Sequence, residues 1–171
     1  MNVNDEYVKV TFPLKRDKNG YPPTDYESIW TKKNNENHYI IDNIPFYIYG
    51  ISKGDSVIFH LEQGEYFVSK ITQRGGHSTF RVYVFNQKNL NSILKKIQQL
   101  GCFTSSSTNS TYFSLDVPPS IDLSIIDNYL SNLTISGIIE YEDACIQHKG
   151  ISKNRKLECE SLFNIIFKGS P

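Results

Sequence analysis

The stretch FRVYVFNQKNLNSILKKIQQLGC, residues 80–102, places two hydrophobic periods side by side. Phe80, Val82 and Val84 alternate with Arg81, Tyr83 and Phe85, the period-two pattern of a strand with one buried face. From Leu90 the period changes. Leu90, Ile93, Leu94, Ile97 and Leu100 recur at spacings of three and four, the stripe of an amphipathic helix. Asn86 or Asn89 can cap its start, and Gly101 stands where a C′ glycine ends a helix.

Reading toward the C-terminus, Cys102–Ser106 and Thr111–Val117 form a hairpin around a Ser/Thr/Asn turn, stopped by Pro118-Pro119. Leu123, Ile126, Leu130 and Leu133 make a second helical stripe, with Ser120 near its cap and Gly137 at its close. Ile138–Ile146 reads as a last strand. The order from Phe80 to His148 is therefore β-α-β-β-α-β, the ferredoxin-like split arrangement. One stripe per helix predicts both helices on one face of a four-stranded sheet.

Reading toward the N-terminus, Val8, Val10 and Phe12 alternate with Lys9 and Thr11, another half-buried strand. KRDKNGYPPTDYE is turn chemistry: Gly20 permits positive φ and Pro22-Pro23 forbids regular pairing. Glu27–Thr31, His38–Ile41 and Phe46–Tyr49 read as strands. Val57, Phe59 and Leu61 share one face of the next. Gln63-Gly64 and Gly75-Gly76 turn the chain, so residues 50–85 read as a meander whose last strand also starts the second unit. Short strands with glycine turns and no helix predict a small antiparallel barrel.

The expectation is an α+β chain in three parts: a β-rich, barrel-like subdomain over 1–79, a ferredoxin-like subdomain over 80–148, and a tail over 149–171. HKGISKNRK in the tail reads as loop. The apolar Leu157–Phe167 is expected to pack back on the body as a helix or an added strand.

Composition narrows the function classes. The 171 residues are 39% hydrophobic and 13% aromatic, enough for a real core, and 18 Lys+Arg balance 18 Asp+Glu. A dedicated nucleic-acid binder carries a basic excess, so nucleic acid is disfavoured as a partner. Binding of single strands through Phe46, Tyr47, Tyr49, Tyr66 and Phe67 is a minor reading, because those rings serve equally as core. The balance is uneven along the chain: residues 87–148 hold three basic and six acidic side chains, residues 149–171 five and two. The middle segment is either a solvated face or an acidic face for a basic partner.

Cys102, Cys145 and Cys159 are odd in number and form no CxxC pair, while His38, His60, His77 and His148 are scattered. Zinc needs about four closely placed ligands, so neither a metal nor another cofactor is expected. Free, half-buried thiols, the polar start MNVNDEYVKV and the lack of any run near roughly 18 apolar residues point to a cytoplasmic protein without a membrane span.

Catalytic sets are wanting. His77 and Ser78 are adjacent, and neighbours on a strand point to opposite faces. Cys145 and His148 are three apart at a strand end. No phosphate-cradling glycine motif occurs. Two clusters remain. GGHSTFR, residues 75–81, brings His77 and Arg81 to one loop and strand start, either as a tied-down hairpin or as a holder for an anion or a partner's carboxylate. Glu140, Glu142 and Asp143 place two carboxylates on one strand face and one on the other, either as a charge-protected edge or as a patch for a basic partner. The expected partner-binding residues are therefore Glu140, Glu142, Asp143, His77 and Arg81, and the chain is expected not to be an enzyme.

The segments VKVTFPL, DKNGYPP, ESIW, YIIDNIPFYIYGISKGDSV, GGHSTFRVYV, LGC, DVPP and EYEDACIQH resemble a bacterial family described as a domain of unknown function, number 4265. The likeness is collinear over roughly residues 8–148. It implies a two-part architecture and no particular reaction. The tail lies outside the family body, and the many Asn and Lys depart from the family's usual style. By analogy with small cytoplasmic proteins of similar composition, the expected function is that of an immunity protein blocking a basic toxin domain, such as a nuclease. A small-molecule-sensing regulatory module is the alternative.

Overall fold

The computed structural model describes residues 6–35, 38–108 and 110–167. It is an α+β structure of two antiparallel sheets and three helices. The first sheet comprises β1 (Tyr7–Pro13), β2 (Tyr26–Asn35), β3 (His38–Ile41), β4 (Ser56–Glu62) and β5 (Glu65–Gln73), paired in that order. One parallel bridge, Thr11 to Phe67, brings β1 back against β5. Val10, Phe12, Ile29, Ile41, Val57 and Val68 fill its interior. The β4–β5 hairpin turns on Gln63 and Gly64, both at positive φ, as a two-residue turn between right-twisted strands requires.

The second sheet contains β6 (Ser78–Val84), β7 (Phe103–Ser106), β8 (Tyr112–Val117) and β9 (Ile139–Cys145) in the order β7-β8-β6-β9. Helix α1 (Gln87–Gln99) connects β6 to β7, and α2 (Leu123–Ile135) connects β8 to β9. Leu90, Ile93 and Ile97 of α1 and Leu123, Ile126 and Leu130 of α2 pack with Phe80, Val82, Phe113 and Leu115 in one core. Fully burying each such side chain contributes about 2 kcal/mol. Asn86 caps α1 by accepting from the Lys88 N–H, and Gly101 follows its end at φ 83°.

Several expectations are corrected. Strand β6 does not end the meander: it pairs with β8 and β9 and never with β5. Gly75-Gly76 is therefore a crossover between sheets rather than a hairpin turn. A Cβ on Gly75 would lie 2.4 Å from the Gly54 carbonyl carbon, so the two backbones touch where the chain changes sheet. Phe46–Tyr49 is not a strand, because the Phe46, Tyr47 and Ile48 N–H groups all donate to the Glu27 carboxylate at 2.7–2.9 Å. Leu61, close to the hairpin turn, is exposed although Val57 on the same strand is buried, and the extra residues at the two register shifts, Thr72 and Ser69, lie on β5. Asp122, not Ser120, caps α2.

The described part of the tail contacts the body through Cys159, Asn164 and Ile165, and its polar start, read as loop, is helical. Ser152 caps α3 (Lys153–Ser161) by accepting from the Arg155 N–H. Beyond it, Ile165 bridges to Leu14. Cys159 joins the core of the second sheet and Ile165 that of the first, so the tail straddles both. The three cysteines are free and buried rather than half-buried.

Candidate functional site

Helices cover one face of the second sheet. Its other face carries Arg81 and Tyr83 from β6, Tyr112 from β8, and Glu140 and Glu142 from β9. The first sheet sends two loops across this face. One is the proline turn with Asp17 and Tyr21; the other is the segment carrying Tyr47 and Tyr49. Together with Tyr141 these residues line an open cleft of about 810 Å³.

Each wall has a local cause. Asp17 Oδ1 accepts from the Asn19 and Tyr21 N–H groups, an Asx turn that fixes the first loop. Glu27, with its three backbone donors, fixes the second loop, and burial raises its pKa despite them. Asn164 of the tail locks that loop from behind, accepting from the Tyr49 N–H at 2.9 Å and donating to the Tyr47 carbonyl at 3.1 Å. The Tyr21 and Tyr112 hydroxyls meet at 3.2 Å, and Phe46 packs edge-on against both Tyr47 and Tyr112.

Arg81 forms the floor. Its side chain is fully buried, yet it is charged. It pairs with Glu142 at 3.3 Å, donates to the Ile48 carbonyl and lies 4.0 Å from the centroid of the Tyr49 ring. Tyr49 in turn donates to Glu142 at 2.9 Å. Arg81 Nε is buried with no hydrogen-bond partner. Burial pushes the Tyr21, Tyr49 and Tyr112 hydroxyls above their ordinary pKa, so all three remain neutral at pH 7.

The expected site residues are split. Glu142 and Arg81 meet in the cleft, and Glu140 lies exposed at its edge. Asp143 faces the opposite way, where Arg155 of α3 grips it at 2.6 and 2.9 Å together with Asp127 of α2. His77 pairs with the buried Asp116 at 2.8 Å, so it is held by its own fold. The aromatics proposed for nucleic acid are also split: Tyr47 and Tyr49 line the cleft, while Tyr66 and Phe67 lie on β5.

Sequence reading missed two networks. Ser78 pairs not with His77 but with His148, Oγ to Nδ1 at 2.7 Å. His148 Nε2 lies 3.1 Å from both the Pro118 and Ile121 carbonyls, which only accept, so Nε2 carries a proton and donates to them. Both residues are buried, and the Ser78 oxygen also accepts from the Gln147 N–H. This geometry ties β6 to the exit of β9. Asp55, fully buried, takes Gln147, Arg74 and the Gly75 N–H and so joins the sheets. No local signal pairs residues 70 or 92 positions apart.

Among the described residues no group of three or more His, Cys, Asp or Glu side chains is placed to hold a metal ion. Nor is any helix among them long and apolar enough to cross a membrane. Burial pushes the Cys102 and Cys159 thiols up to about 12 and raises that of Cys145, which disfavours their thiolates.

Fold and site thus define a two-sheet α+β protein with a tyrosine-lined cleft where the sheets meet. The chain belongs to the family described as Domain of unknown function (DUF4265), whose model matches residues 27–141. That span holds Glu27, Tyr47, Tyr49, Arg81, Tyr112 and Glu140, whereas Asp17, Tyr21 and Glu142 fall outside it. Among solved structures, the chain is similar to a hypothetical protein from Neisseria gonorrhoeae. The TM-score is 0.64 at 19% identity, over 82% of this chain and 96% of that one. At that identity the likeness is one of fold. No curated protein matches the chain.

Proposed function

We propose that the protein is a non-catalytic binding module that senses a small molecule held in the cleft between its two sheets. The observation that carries this reading is the cleft itself. Its volume, about 810 Å³, lies in the range of ligand sites, and its walls are aromatic with a few convergent polar groups. We read the second sheet as a ferredoxin-like unit, supported by the order β7-β8-β6-β9 with α1 and α2 as the crossovers. We read the first as a small barrel, supported by the bridge from β1 to β5. An occupant touching both the 47–49 loop and β6 would stiffen the joint between these units, a direct route from binding to regulation.

The toxin-blocking reading has less support. It asks Glu140, Glu142 and Asp143 to meet a basic partner, but Glu142 is paired with Arg81 and Asp143 with Arg155. Of the three, Glu140 alone has no ion-pair partner among the described residues. Three buried free thiols support a reducing compartment, the cytoplasm, under either reading.

A thermal-shift screen of the full chain against a metabolite library tests the proposal. Hits should raise Tm in the wild type and lose their effect in Tyr112→Ala, which opens the cleft wall. A screen without hits, paired with co-purification of a basic protein partner, would reverse the preference between the two readings.

A further inference from the structure

The charges of the cleft extend the reading to the chemistry of its occupant, and this step rests on the cleft being the binding site. Three carboxylates, Asp17, Glu140 and Glu142, face one cation, Arg81. The Arg81 charge is engaged inside the wall by Glu142, the Ile48 carbonyl and the Tyr49 ring. Among the described residues Asp17 and Glu140 have no ion-pair partner, although backbone N–H groups hold Asp17 in place. The cleft therefore carries uncompensated negative charge.

The tyrosines point the same way. The hydroxyls of Tyr21 and Tyr112 bond each other, and that of Tyr49 bonds Glu142. For an occupant these rings leave π surface, whose negative face attracts cations, and the one hydroxyl proton that the Tyr21–Tyr112 pair does not use. An anion would have to displace Glu142 from Arg81 while facing two unpaired carboxylates. A neutral aromatic molecule would use the rings but leave the carboxylates without a counterpart. Arg81 Nε, although unmet, lies buried inside the wall and out of an occupant's reach.

We propose that the cleft takes an organic cation, an ammonium or guanidinium group with a hydrogen-bond acceptor nearby, seated among the tyrosines with Asp17 and Glu140 as its counter-charges. The acceptor takes the hydroxyl proton that the Tyr21–Tyr112 pair leaves over. The same chemistry occurs in a free amine and in a Lys or Arg side chain presented by a peptide, and the test separates the two.

The experiment follows backbone amides of the full chain by NMR during titration with L-arginine methyl ester, with a capped Arg/Lys peptide and with benzoate. The expected result is saturable shifts at Tyr47, Tyr49, Arg81 and Tyr112 with the ester or the peptide. Their Kd should rise at least ten-fold in the Asp17→Asn/Glu140→Gln double variant, whose exposed substitutions leave the spectrum otherwise unchanged. Response to the ester identifies a free cation; response to the peptide alone identifies a protein side chain. Saturation by benzoate but by neither cation would overturn the ligand class and leave the cleft as the site. Cation binding of equal strength in the double variant would overturn the assigned counter-charges. Silence of the cleft amides toward all three probes, alongside metabolite hits that survive Tyr112→Ala, would remove the cleft as the site.

Discussion

Arg81 and Glu142 stand opposite each other on adjacent antiparallel strands, and their side chains meet at 3.3 Å, one fully buried and the other 44% exposed. The pair is therefore asymmetric. Arg81→Ala strips the Ile48 carbonyl, the Tyr49 ring and Glu142 of their partner at once, and a cost of about 3 kcal/mol is expected. Glu142→Gln keeps an acceptor in a place that water reaches, so its cost should stay below about 1 kcal/mol. Urea denaturation at pH 7 distinguishes the two, and equal losses would refute the asymmetry.

Asn164 reaches back from the tail to hold both sides of the Tyr47–Tyr49 segment. In Asn164→Ala the buried Tyr49 N–H loses its acceptor, which costs about 1–3 kcal/mol. The loop should also loosen. Amide hydrogen exchange at Tyr49 should rise well beyond the change at Val82, deep in the second core. Uniform acceleration at both would mean that Asn164 acts on global stability alone.

Arg155 grips Asp143 with Nε and one terminal nitrogen and Asp127 with both terminal nitrogens. These carboxylates hold its pKa above the ordinary arginine value. Arg155→Lys preserves the charge but loses the fork, so it should release α3 nearly as fully as Arg155→Ala, at about 1–2 kcal/mol. Limited proteolysis within 149–161 is the readout. Protection restored by lysine would show that charge alone docks the helix.

The buried thiols predict alkaline sensitivity. Cys102 and Cys159 are pushed from 9.0 to about 12, chiefly by burial. Between these values the unfolded chain has lost the proton and the folded chain retains it, so stability falls as pH rises through that window and is full below pH 9. Raised tyrosines add in the same direction. The urea midpoint should drop between pH 9 and pH 11, and less steeply in Cys102→Ala/Cys159→Ala. Thiol labelling at pH 8 should wait for unfolding; immediate labelling of all three cysteines would contradict their burial.

Local rules sufficed where a pattern repeats within a few residues. The α1 stripe with Asn86 and Gly101, the α2 stripe with Gly137, the hairpin at Gln63-Gly64 and the alternation of Val10 and Phe12 were all legible, because each rests on spacings of one to four positions. The opposed faces of Glu142 and Asp143 were legible for the same reason. Their commitments were not: Arg155 and Arg81 lie 12 and 61 positions away.

Sequence by itself thus determined α1, α2 and most of the strands with the faces they show, since backbone geometry makes neighbours of residues close in the chain. Tertiary structure alone decided that β6 leaves the meander, that Glu27 turns residues 46–48 into a loop, and that Tyr21, Tyr49, Tyr112 and Arg81 share a cleft. Those outcomes depend on which buried donors and acceptors find each other across long stretches of chain. The free energy of leaving one unmet enforces the choice, and no local spacing encodes it.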